Sequence, residues 1–483
     1  MMHSYRSPTM QWLLIGLMLG LSAGIRWPLL DMPLQFDEIW SWEMAHAAGT
    51  PGRLFTDPAF HHDNNHLLNT WYLQWWDGFA EPRHYRWLAY GAGCLLVVLT
   101  MLWARGFGTW VMLCTGLLLA CNSWWVIFST QARGYTLAAC AAMACWLLWR
   151  RYREHPTWAW CSALGGMVVV GFLAHFHFLQ VYLALAAAMV MHWARERRSL
   201  GEEWLHLIRC HWLPVLGLTL LYFFFIRDME LGGGPRPSAG EVLVHLFGQG
   251  FGFYQTSPYQ WLAGLVGMGL LFGLLLLSLL DRDRTVARMF WLTCLLVPAI
   301  LFMSMRPPFL FERYFLFPYL FVLILYGIGL GRCAQFPWGW PVVLVLLGLY
   351  AWNNLQLLDE YRQEGRVRFA EVVAYLQQAQ PGTEPITVAG DVDFRLEKFF
   401  AFEGARLDRQ RRLRYVQNKD IPKEGVHWLL MHRVPEEGIE LPGKVQTDRW
   451  GNRYQWVHDI HPQQPMEWRW ILLQRIPPNQ RPS

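Results

Sequence analysis

The chain has 483 residues, of which 54% are hydrophobic and 29 are tryptophan. A soluble protein of this length is more polar, so the composition excludes an ordinary globular enzyme and indicates a membrane protein. The formal net charge of +5 predicts no nucleic-acid partner, because many of the basic residues lie in short loops between apolar runs.

Charged residues divide the chain into two regions. They make up 37 of the last 125 residues but only 40 of the 358 before them. We therefore predict a membrane domain over 1–356, with a first outer loop at 31–86, and a soluble α/β domain over 357–483, called the tail below. The nine cysteines all precede the tail and show neither a disulfide nor a metal-binding pattern, so we interpret them as helix-packing residues.

A helix needs about 20 apolar residues to cross a bilayer. Eleven apolar runs approach this length, near 11–30, 86–104, 109–128, 134–149, 157–174, 178–194, 211–226, 259–280, 288–305, 314–331 and 338–356. The sequence therefore predicts an α-helical polytopic membrane protein with about eleven transmembrane helices. In the tail, spacing predicts a helix at VRFAEVVAYLQQ and strands at PITVAG, HWLLMHRV and RWILLQRI.

Basic residues predict the orientation of these helices, because cytoplasmic loops are enriched in Lys and Arg. With the N-terminus in the cytoplasm, the alternate loops carry Arg105, Arg150, Arg151, Arg153, Arg195, Arg197, Arg198, Arg282, Arg284, Arg288 and Arg332. An odd number of spans then puts the tail outside. The first run lacks a small-residue cleavage site and is read as an uncleaved helix. We expect a multi-pass protein of the bacterial inner membrane, with its active site and tail in the periplasm or outside the cell.

The first outer loop begins with an acidic pair in LQFDEIWSWEMAHAAG. Asp37 and Glu38 lie at the mouth of a transmembrane helix, where an ionisable group is costly unless it faces water or a partner. Trp40 and Trp42 suit an interfacial position, and the segment through His46 is predicted to form a short helix on the membrane surface. The alternative is that the two acids simply mark the end of a span at the headgroups.

The same loop continues with a polar cluster in FHHDNNHLLNTWYLQWW. His62, Asp63, Asn65 and His66 are candidate substrate-binding residues, because they combine proton carriers with hydrogen-bonding groups. His62, Asp63 and His66 also suit a divalent metal, although no spacing here demands one. An ordinary headgroup-facing loop is the alternative. The apolar residues that follow have helical spacing and predict a second interfacial helix.

Two later segments lie at outer ends of predicted spans, namely STQARGYTLAACAAM and RPPFLFERYFLFPYLFVLIL. Together with the acidic pair and the His/Asn segment, their order resembles the GT-C membrane glycosyltransferases. The chain is most similar to the protein O-mannosyltransferase and aminoarabinose-transferase-like branch, of the glycosyltransferase family 39 type. The resemblance covers roughly 10–330. The His-Pro-Pro form of the second helix in that branch is replaced here by NNHLLN.

The resemblance implies a GT-C-like fold and a glycosyltransferase that moves a hexosyl or pentosyl group from a polyprenyl-phosphate donor, with inversion. The acceptor would be a hydroxyl of a glycan, a lipid or a protein at the outer face of the membrane, with membrane lipid as a further partner. Asp37 corresponds to the general base, and Glu38 would orient the acceptor or Asp37. No cofactor is required by this reading, and a divalent metal is an open option.

The resemblance also assigns the donor phosphate to basic and tyrosine residues of the two later segments. Arg133, Arg313 and Arg306 offer planar forks that match a phosphate. Tyr135 and Tyr314 would add hydrogen bonds. Each has an alternative, because arginine at a helix end often meets lipid headgroups and tyrosine often belongs to an aromatic belt.

Three other functions remain open at this point. A lipid-linked substrate transporter or flippase would use charges at mid-membrane depth and repeated halves, and neither is evident. An O-antigen ligase or polymerase would carry its functional residues in a large late outer loop, whereas the loop from Arg306 to Arg313 is short. A non-catalytic scaffold would keep its function when Asp37 is mutated. His175 and His177, in the turn AHFHF, either line the same cavity or lie there by chance.

Overall fold

The structure is a computed structural model that describes residues 8–76, 81–195, 200–233, 236–254, 257–280, 284–364, 369–404, 406, 412–433, 444–460 and 469–477. Arg197, Arg198 and Arg282, which support the predicted orientation, lie outside these residues. The described helices are, in chain order, α1 (Pro8–Arg26), α2 (Phe36–Ala48), α3 (Pro51–Thr56), α4 (Leu67–Leu73), α5 (Pro82–Ala104), α6 (Thr109–Cys121), α7 (Ser123–Ser129), α8 (Tyr135–Glu154), α9 (Trp158–Ala174), α10 (Leu179–Arg195), α11 (Leu200–Phe224), α12 (Ala239–Gly250), α13 (Gln260–Ser278), α14 (Arg284–Trp291), α15 (Val297–Met305), α16 (Leu316–Cys333), α17 (Gly339–Glu364), α18 (Phe369–Ala379) and α19 (Asp393–Phe399).

Within the described residues, eight helical segments are long and apolar enough to cross a membrane, or nine if the bent pair α6 and α7 is one span. The eight are Pro8–Leu29, Pro82–Phe107, Phe176–Arg195, Trp204–Asp228, Gln260–Ser278, Thr285–Met305, Glu312–Cys333 and Gly339–Gln363. The other two predicted runs coincide with α8, which ends in a basic turn, and with α9, which has 17 residues. The prediction of a polytopic helical membrane protein is confirmed.

The predicted span at 109–128 is not one straight helix, because α6 and α7 meet at an angle of 59°. Asn122 occupies the break, and its side-chain oxygen accepts from the backbone N–H of Trp125 at 3.3 Å. Its side-chain nitrogen donates to the Tyr350 hydroxyl at 2.9 Å and to the Gly250 carbonyl at 3.1 Å. The backbone groups released by the bend are thus partnered inside the protein, as a membrane interior requires.

Helix α16 is the most enclosed candidate span among the residues described, and it packs along α6. A Cβ atom at Gly327 of α16 would collide with Thr115 of α6. Glycine at this position lets the two backbones approach closely, which is how small residues stabilise helix pairs in lipid. This pair forms the centre of the membrane region.

Helix α1 is joined to the same centre through a buried arginine. Arg26 donates to the Ser129 and Ser22 hydroxyls, each at 2.8 Å, and to the Ala120 carbonyl at 3.0 Å. These acceptors offset the cost of burying the guanidinium. Arg26 therefore has a structural role at the end of the first span.

The chain divides into two compact units. The first comprises Met1–Leu30, Ala48–Trp75 and Arg83–Asp359, and the second comprises Asp31–Ala47, Trp76–Pro82 and Glu360–Ser483. The second unit therefore includes most of α2 as well as the tail. Each unit has its own buried core.

The second unit contains a six-stranded sheet in the order β2-β1-β3-β6-β5-β4. Its strands are β1 (Ile386–Gly390), β2 (Leu413–Tyr415), β3 (Trp428–Arg433), β4 (Val445–Thr447), β5 (Arg453–Ile460) and β6 (Arg469–Arg475). Strand β1 pairs in parallel with β2 and β3, and the other pairs are antiparallel. The predicted helix and the three predicted strands correspond to α18, β1, β3 and β6, so the small α/β fold is confirmed.

Candidate functional site

The polar segment at residues 61–66 is held by the part of the chain that follows α11. The Asp63 N–H donates to the Glu230 carbonyl at 3.0 Å, and the Glu230 N–H donates to the His61 carbonyl at 2.8 Å. Residues 61–66 lie in turns, and only Leu67–Leu73 form the predicted second helix. The backbone of the polar segment is therefore fixed before α4 begins.

The turn between α7 and α8 brings Arg133 to this segment. Asn69 of α4 donates to the Ala132 carbonyl at 2.6 Å, and Arg133 Nη2 donates to Asn64 Oδ1 at 2.9 Å. A Cβ atom at Gly134 would collide with the Ala174 carbonyl, so the turn requires glycine there. Arg133 is thereby buried against the polar segment although it is far from it in sequence.

His66 faces a hydrogen-bond donor at each ring nitrogen. The Gly134 N–H donates to Nδ1 at 3.0 Å, and Arg133 Nη2 lies 3.0 Å from Nε2. A neutral imidazole accepts at only one of its nitrogens, so the tautomer decides which of the two donors is satisfied. The guanidinium of Arg133 and the ring of His66 are in either case adjacent.

The surroundings keep His66 uncharged. Burial lowers its pKa well below the usual 6.5, and the positive charges of Arg133 and Arg313 lower it further. Asp63 behaves differently, because burial raises its pKa but hydrogen bonding from His62, 2.7 Å away, and from the backbone of Gly232 lowers it by more. The segment thus combines a neutral histidine with an ionised carboxylate.

Two histidines that the sequence left undecided also belong to this cluster. The His175 ring lies 4.5 Å from that of His66 and 4.3 Å from that of Tyr135, and the His177 ring lies 4.5 Å from that of Tyr314. His175 Nδ1 accepts from the His177 N–H at 3.1 Å, so its Nε2 carries the proton. That Nε2 is buried with no hydrogen-bond partner among the described residues.

A small cleft lies between these groups. Asn65 donates to the Phe60 carbonyl at 3.0 Å, and its buried Oδ1 has no partner in the described part of the chain. The cleft therefore offers a free acceptor at Asn65, a free donor at His175 and a carboxylate at Asp63. Its lining comprises Asp63, Asn65, His66, Phe172, Leu173, His175 and Phe176.

The residues of the segment RPPFLFERYFLF differ in their contacts with the polar segment at residues 61–66. The Arg313 guanidinium lies 3.9 Å from the Phe311 ring centre, and its charge acts on both Asp63 and His66. Glu312 contacts His245 at 3.5 Å. Arg306 ends α15 in a left-handed conformation, φ 42°, and is exposed. The described contacts thus join Arg133, Tyr135, Arg313 and Tyr314 to the polar segment but give no such link for Arg306.

The acidic pair lies in the second unit, in the first turn of α2. Glu38 is fully buried, and its carboxylate accepts from the Gln35 N–H at 2.9 Å. Asp37 is partly exposed, and its carbonyl accepts from the Ser41 hydroxyl at 2.9 Å. The predicted short helix through His46 is confirmed, and of its two acids Asp37 is the more accessible.

Comparison with solved structures shows which fold this is. No protein-family model matches the sequence, and no curated protein sequence matches it either. The apo structure of ArnT from Cupriavidus metallidurans matches 97% of this chain and 98% of its own, with a TM-score of 0.56 and 14% identity. A structure of the same protein bound to undecaprenyl phosphate matches 97% of this chain and 99% of its own, with a TM-score of 0.54 and 15% identity.

The chain has the GT-C fold. A further likeness, too weak to argue from, is to the oligosaccharyltransferase AglB from Archaeoglobus fulgidus in complex with an inhibitory peptide and a dolichol-phosphate. It covers 87% of this chain and 69% of that chain, at 10% identity and a TM-score of 0.48. The resemblance drawn from the motifs is thus confirmed for the fold, whereas the roles of individual residues stay predictions.

A metal site was one reading of His62, Asp63 and His66. Across the residues that the structure describes, no group of three or more His, Cys, Asp or Glu side chains is placed to hold a metal ion. Arg133 Nη2 and the Gly134 N–H lie against the two ring nitrogens of His66. A divalent metal stays an open option, and no step of the reaction proposed below uses one.

Proposed function

We propose that this protein is a glycosyltransferase that takes a hexosyl or pentosyl group from a polyprenyl-phosphate donor and transfers it to an acceptor hydroxyl. The observation that carries the proposal is the likeness to ArnT along almost the whole chain, including the structure of ArnT bound to undecaprenyl phosphate. The proposal places the protein in the bacterial inner membrane, with its reaction at the outer face. Residues 1–356 would carry the reaction, with the tail as a soluble domain.

The donor phosphate would bind beside Arg133, whose guanidinium can donate to an anionic oxygen. His66, with Nε2 3.0 Å from Arg133 Nη2, would line the same site as an uncharged ring. Arg313 and Tyr314 would complete the phosphate site, whereas Arg306 is the weakest member of the predicted set.

The sugar would occupy the adjoining cleft. Asn65 Oδ1 and His175 Nε2–H supply one acceptor and one donor, which is what a ring of hydroxyl groups requires. The cleft as it stands has room for about one water molecule, so it would have to widen to admit a sugar residue.

In the proposed reaction, the acceptor oxygen attacks the anomeric carbon from the face opposite the phosphate. A new C–O bond forms, the bond from that carbon to the phosphate oxygen breaks, and the configuration inverts. The phosphate leaves as an anion that the basic residues stabilise, so no strong general acid is needed. Asp37 accepts the proton of the acceptor hydroxyl, and Glu38 holds the start of the helix that carries it.

The test uses mass spectrometry of envelope glycans and glycolipids in cells with and without the gene, complemented by the wild type, by Asp37→Asn or by Asp31→Asn. Asp31 is an exposed acid of the same loop and serves as the control. General-base help is worth about 10²–10⁴ in rate. We expect one glycoconjugate to disappear on deletion and to return with the wild type and Asp31→Asn but not with Asp37→Asn.

Full complementation by Asp37→Asn would contradict the role of Asp37. No glycoconjugate change on deletion would contradict the enzyme reading altogether. A transporter would instead accumulate its lipid-linked substrate on one side of the membrane without any glycosidic bond being lost.

A further inference from the structure

Helix α2 folds with a part of the chain that is distant in sequence. It follows the first span directly, yet Asp31–Ala47 belongs to the same compact unit as Glu360–Ser483. The packing of this helix must therefore be explained by side chains of the tail.

Three aromatic ring pairs join α2 to the tail. The Phe36 ring lies 5.5 Å from that of Phe394, the Trp40 ring lies 5.0 Å from Phe394, and the Trp42 ring lies 4.8 Å from Phe402. All three pairs are edge-on, which is a favourable geometry for aromatic rings. The contacts run along α2 and so fix its rotation about its own axis.

Polar contacts fix the helix at further points. Lys398 forms an ion pair with Glu43, and its ammonium lies 5.4 Å from the Trp40 ring centre and 5.3 Å from that of Phe394. The Lys398 side chain is only 15% exposed, so this pair is less screened than an ordinary surface pair. Gln35 donates to the Tyr361 hydroxyl at 3.1 Å, just before the helix begins.

These contacts bracket Asp37. Gln35 and Phe36 precede it, Trp40 and Glu43 follow it within two turns, and each of the four touches the tail. Because the helix is held on both sides of Asp37, these contacts determine the orientation of the Asp37 carboxylate. A displacement of about 1 Å can cost roughly 10²-fold in rate when a catalytic group must meet a reacting atom.

We propose that the tail is a positioning element for the general base, and that Phe394 and Lys398 are positioning residues that act through α2. The inference rests on the proposed function, because it assumes that Asp37 accepts the proton. It assigns to the soluble domain a role in catalysis without any contact to substrate.

The test measures transfer by purified full-length protein in vesicles, with a synthetic polyprenyl-phosphate sugar as donor. Phe394 is 49% exposed and lies outside the tail core, so Phe394→Ala removes the contact with α2 without opening that core. We expect kcat to fall about 10-fold while the KM for the donor stays within twofold. Val457→Ala is the control, because Val457 is a similarly exposed apolar residue of β5.

A second pair of variants tests the ion pair. Lys398→Met keeps the apolar stem and removes the charge, and we expect a several-fold fall in kcat. Lys398→Arg keeps the charge and should restore kcat to within twofold of the wild type, which a change in general stability would not do. Thermal melting of each variant in detergent checks that the fold is kept.

The two proposals fail in different ways. If the wild type transfers no sugar in this assay, the proposed function is wrong. If Asp37→Asn is as active as the wild type, the role of Asp37 is wrong and the positioning role that depends on it is wrong as well. If Asp37→Asn is inactive while Phe394→Ala and Lys398→Met both keep wild-type kcat, the proposed function stands and the positioning role is wrong. A parallel fall in kcat for Val457→Ala would also overturn the positioning role.

Discussion

The two regions that carry the predicted site residues are built differently. Around Arg133, buried polar groups surround an arginine and a neutral histidine inside the membrane unit. Around Asp37, a partly exposed acid sits on a short helix that aromatic rings hold from one side.

The difference follows from the chemistry that each region would perform. An anion site gains strength from burial, because charge interactions are stronger where water is excluded. A general base must meet an incoming hydroxyl, so it needs access and direction more than burial. Mutations should therefore act on binding in the first region and on turnover in the second.

The largest effect should come from Arg133. Arg133→Ala removes a charged donor from Asn64 and, in the proposed site, from the donor phosphate, and charged hydrogen bonds contribute about 1.5–3 kcal/mol each. We expect the Kd for polyprenyl phosphate to rise roughly 10²-fold, measured by binding to the purified protein. Asp37→Asn should bind as tightly as the wild type. If Arg133→Ala and Asp37→Asn weakened donor binding equally, the proposed division between a binding region and a turnover region would be wrong.

A smaller effect is expected at the bend that leads to Arg133. Asn122→Ala removes buried hydrogen bonds to the Tyr350 hydroxyl and to the Gly250 carbonyl, each of which contributes about 0.5–1.5 kcal/mol. Thermal melting should show the loss of stability, and donor binding should weaken with it. Unchanged melting would mean that the break does not depend on this side chain.

Acid should destabilise the buried region through His66. Its pKa is lowered in the folded state, so its contribution to stability is complete above pH 6.5 and is lost as the pH falls towards the folded pKa. One such group changes the free energy of unfolding by at most about 1.4 kcal/mol per pH unit. Melting of His66→Gln between pH 7.5 and 5 should show a flatter pH dependence than the wild type. Identical slopes would contradict this assignment.

The smallest effect is expected at the surface pair between Arg53 and Asp57. The two side chains are 2.7 Å apart, but both are solvent-accessible, and exposed pairs of this kind contribute little. Arg53→Ala should leave melting temperature, donor binding and kcat unchanged within error. If Arg53→Ala clearly weakened donor binding, the charge of Arg53 would act on the donor site from a distance.

Sequence predicted the spans and the centre of the sheet, and it missed features that depend on tertiary contact. Strands β1, β3 and β6 are adjacent in the sheet and read as apolar runs, because central strands are covered on both faces. Strands β2 and β4 lie at the edges and have only three residues each, so they carry little pattern. Strand β5 lies beside β4, and its buried and exposed residues do not alternate regularly, so its sequence carries little strand pattern.

In the membrane unit, hydropathy predicted where α6 and α7 lie but not the bend between them. A run such as 109–128 is apolar on both sides of Asn122, and the angle depends on partners from α12 and α17. His175 was ambiguous for a similar reason, since only the folded chain places its ring beside His66 and Tyr135. The short helix that carries the acidic pair was predictable because its signal is local.

The membership of α2 in the unit formed by the tail has a consequence for biosynthesis. A chain emerges from the ribosome with its N-terminal part first. The helix that carries Asp37 is made among the first 50 residues, but Phe394, Lys398 and Phe402 follow about 350 residues later. A nascent or truncated chain therefore carries the acid on a helix without these neighbours, and under the proposed positioning role it would turn over substrate more slowly until the tail has folded.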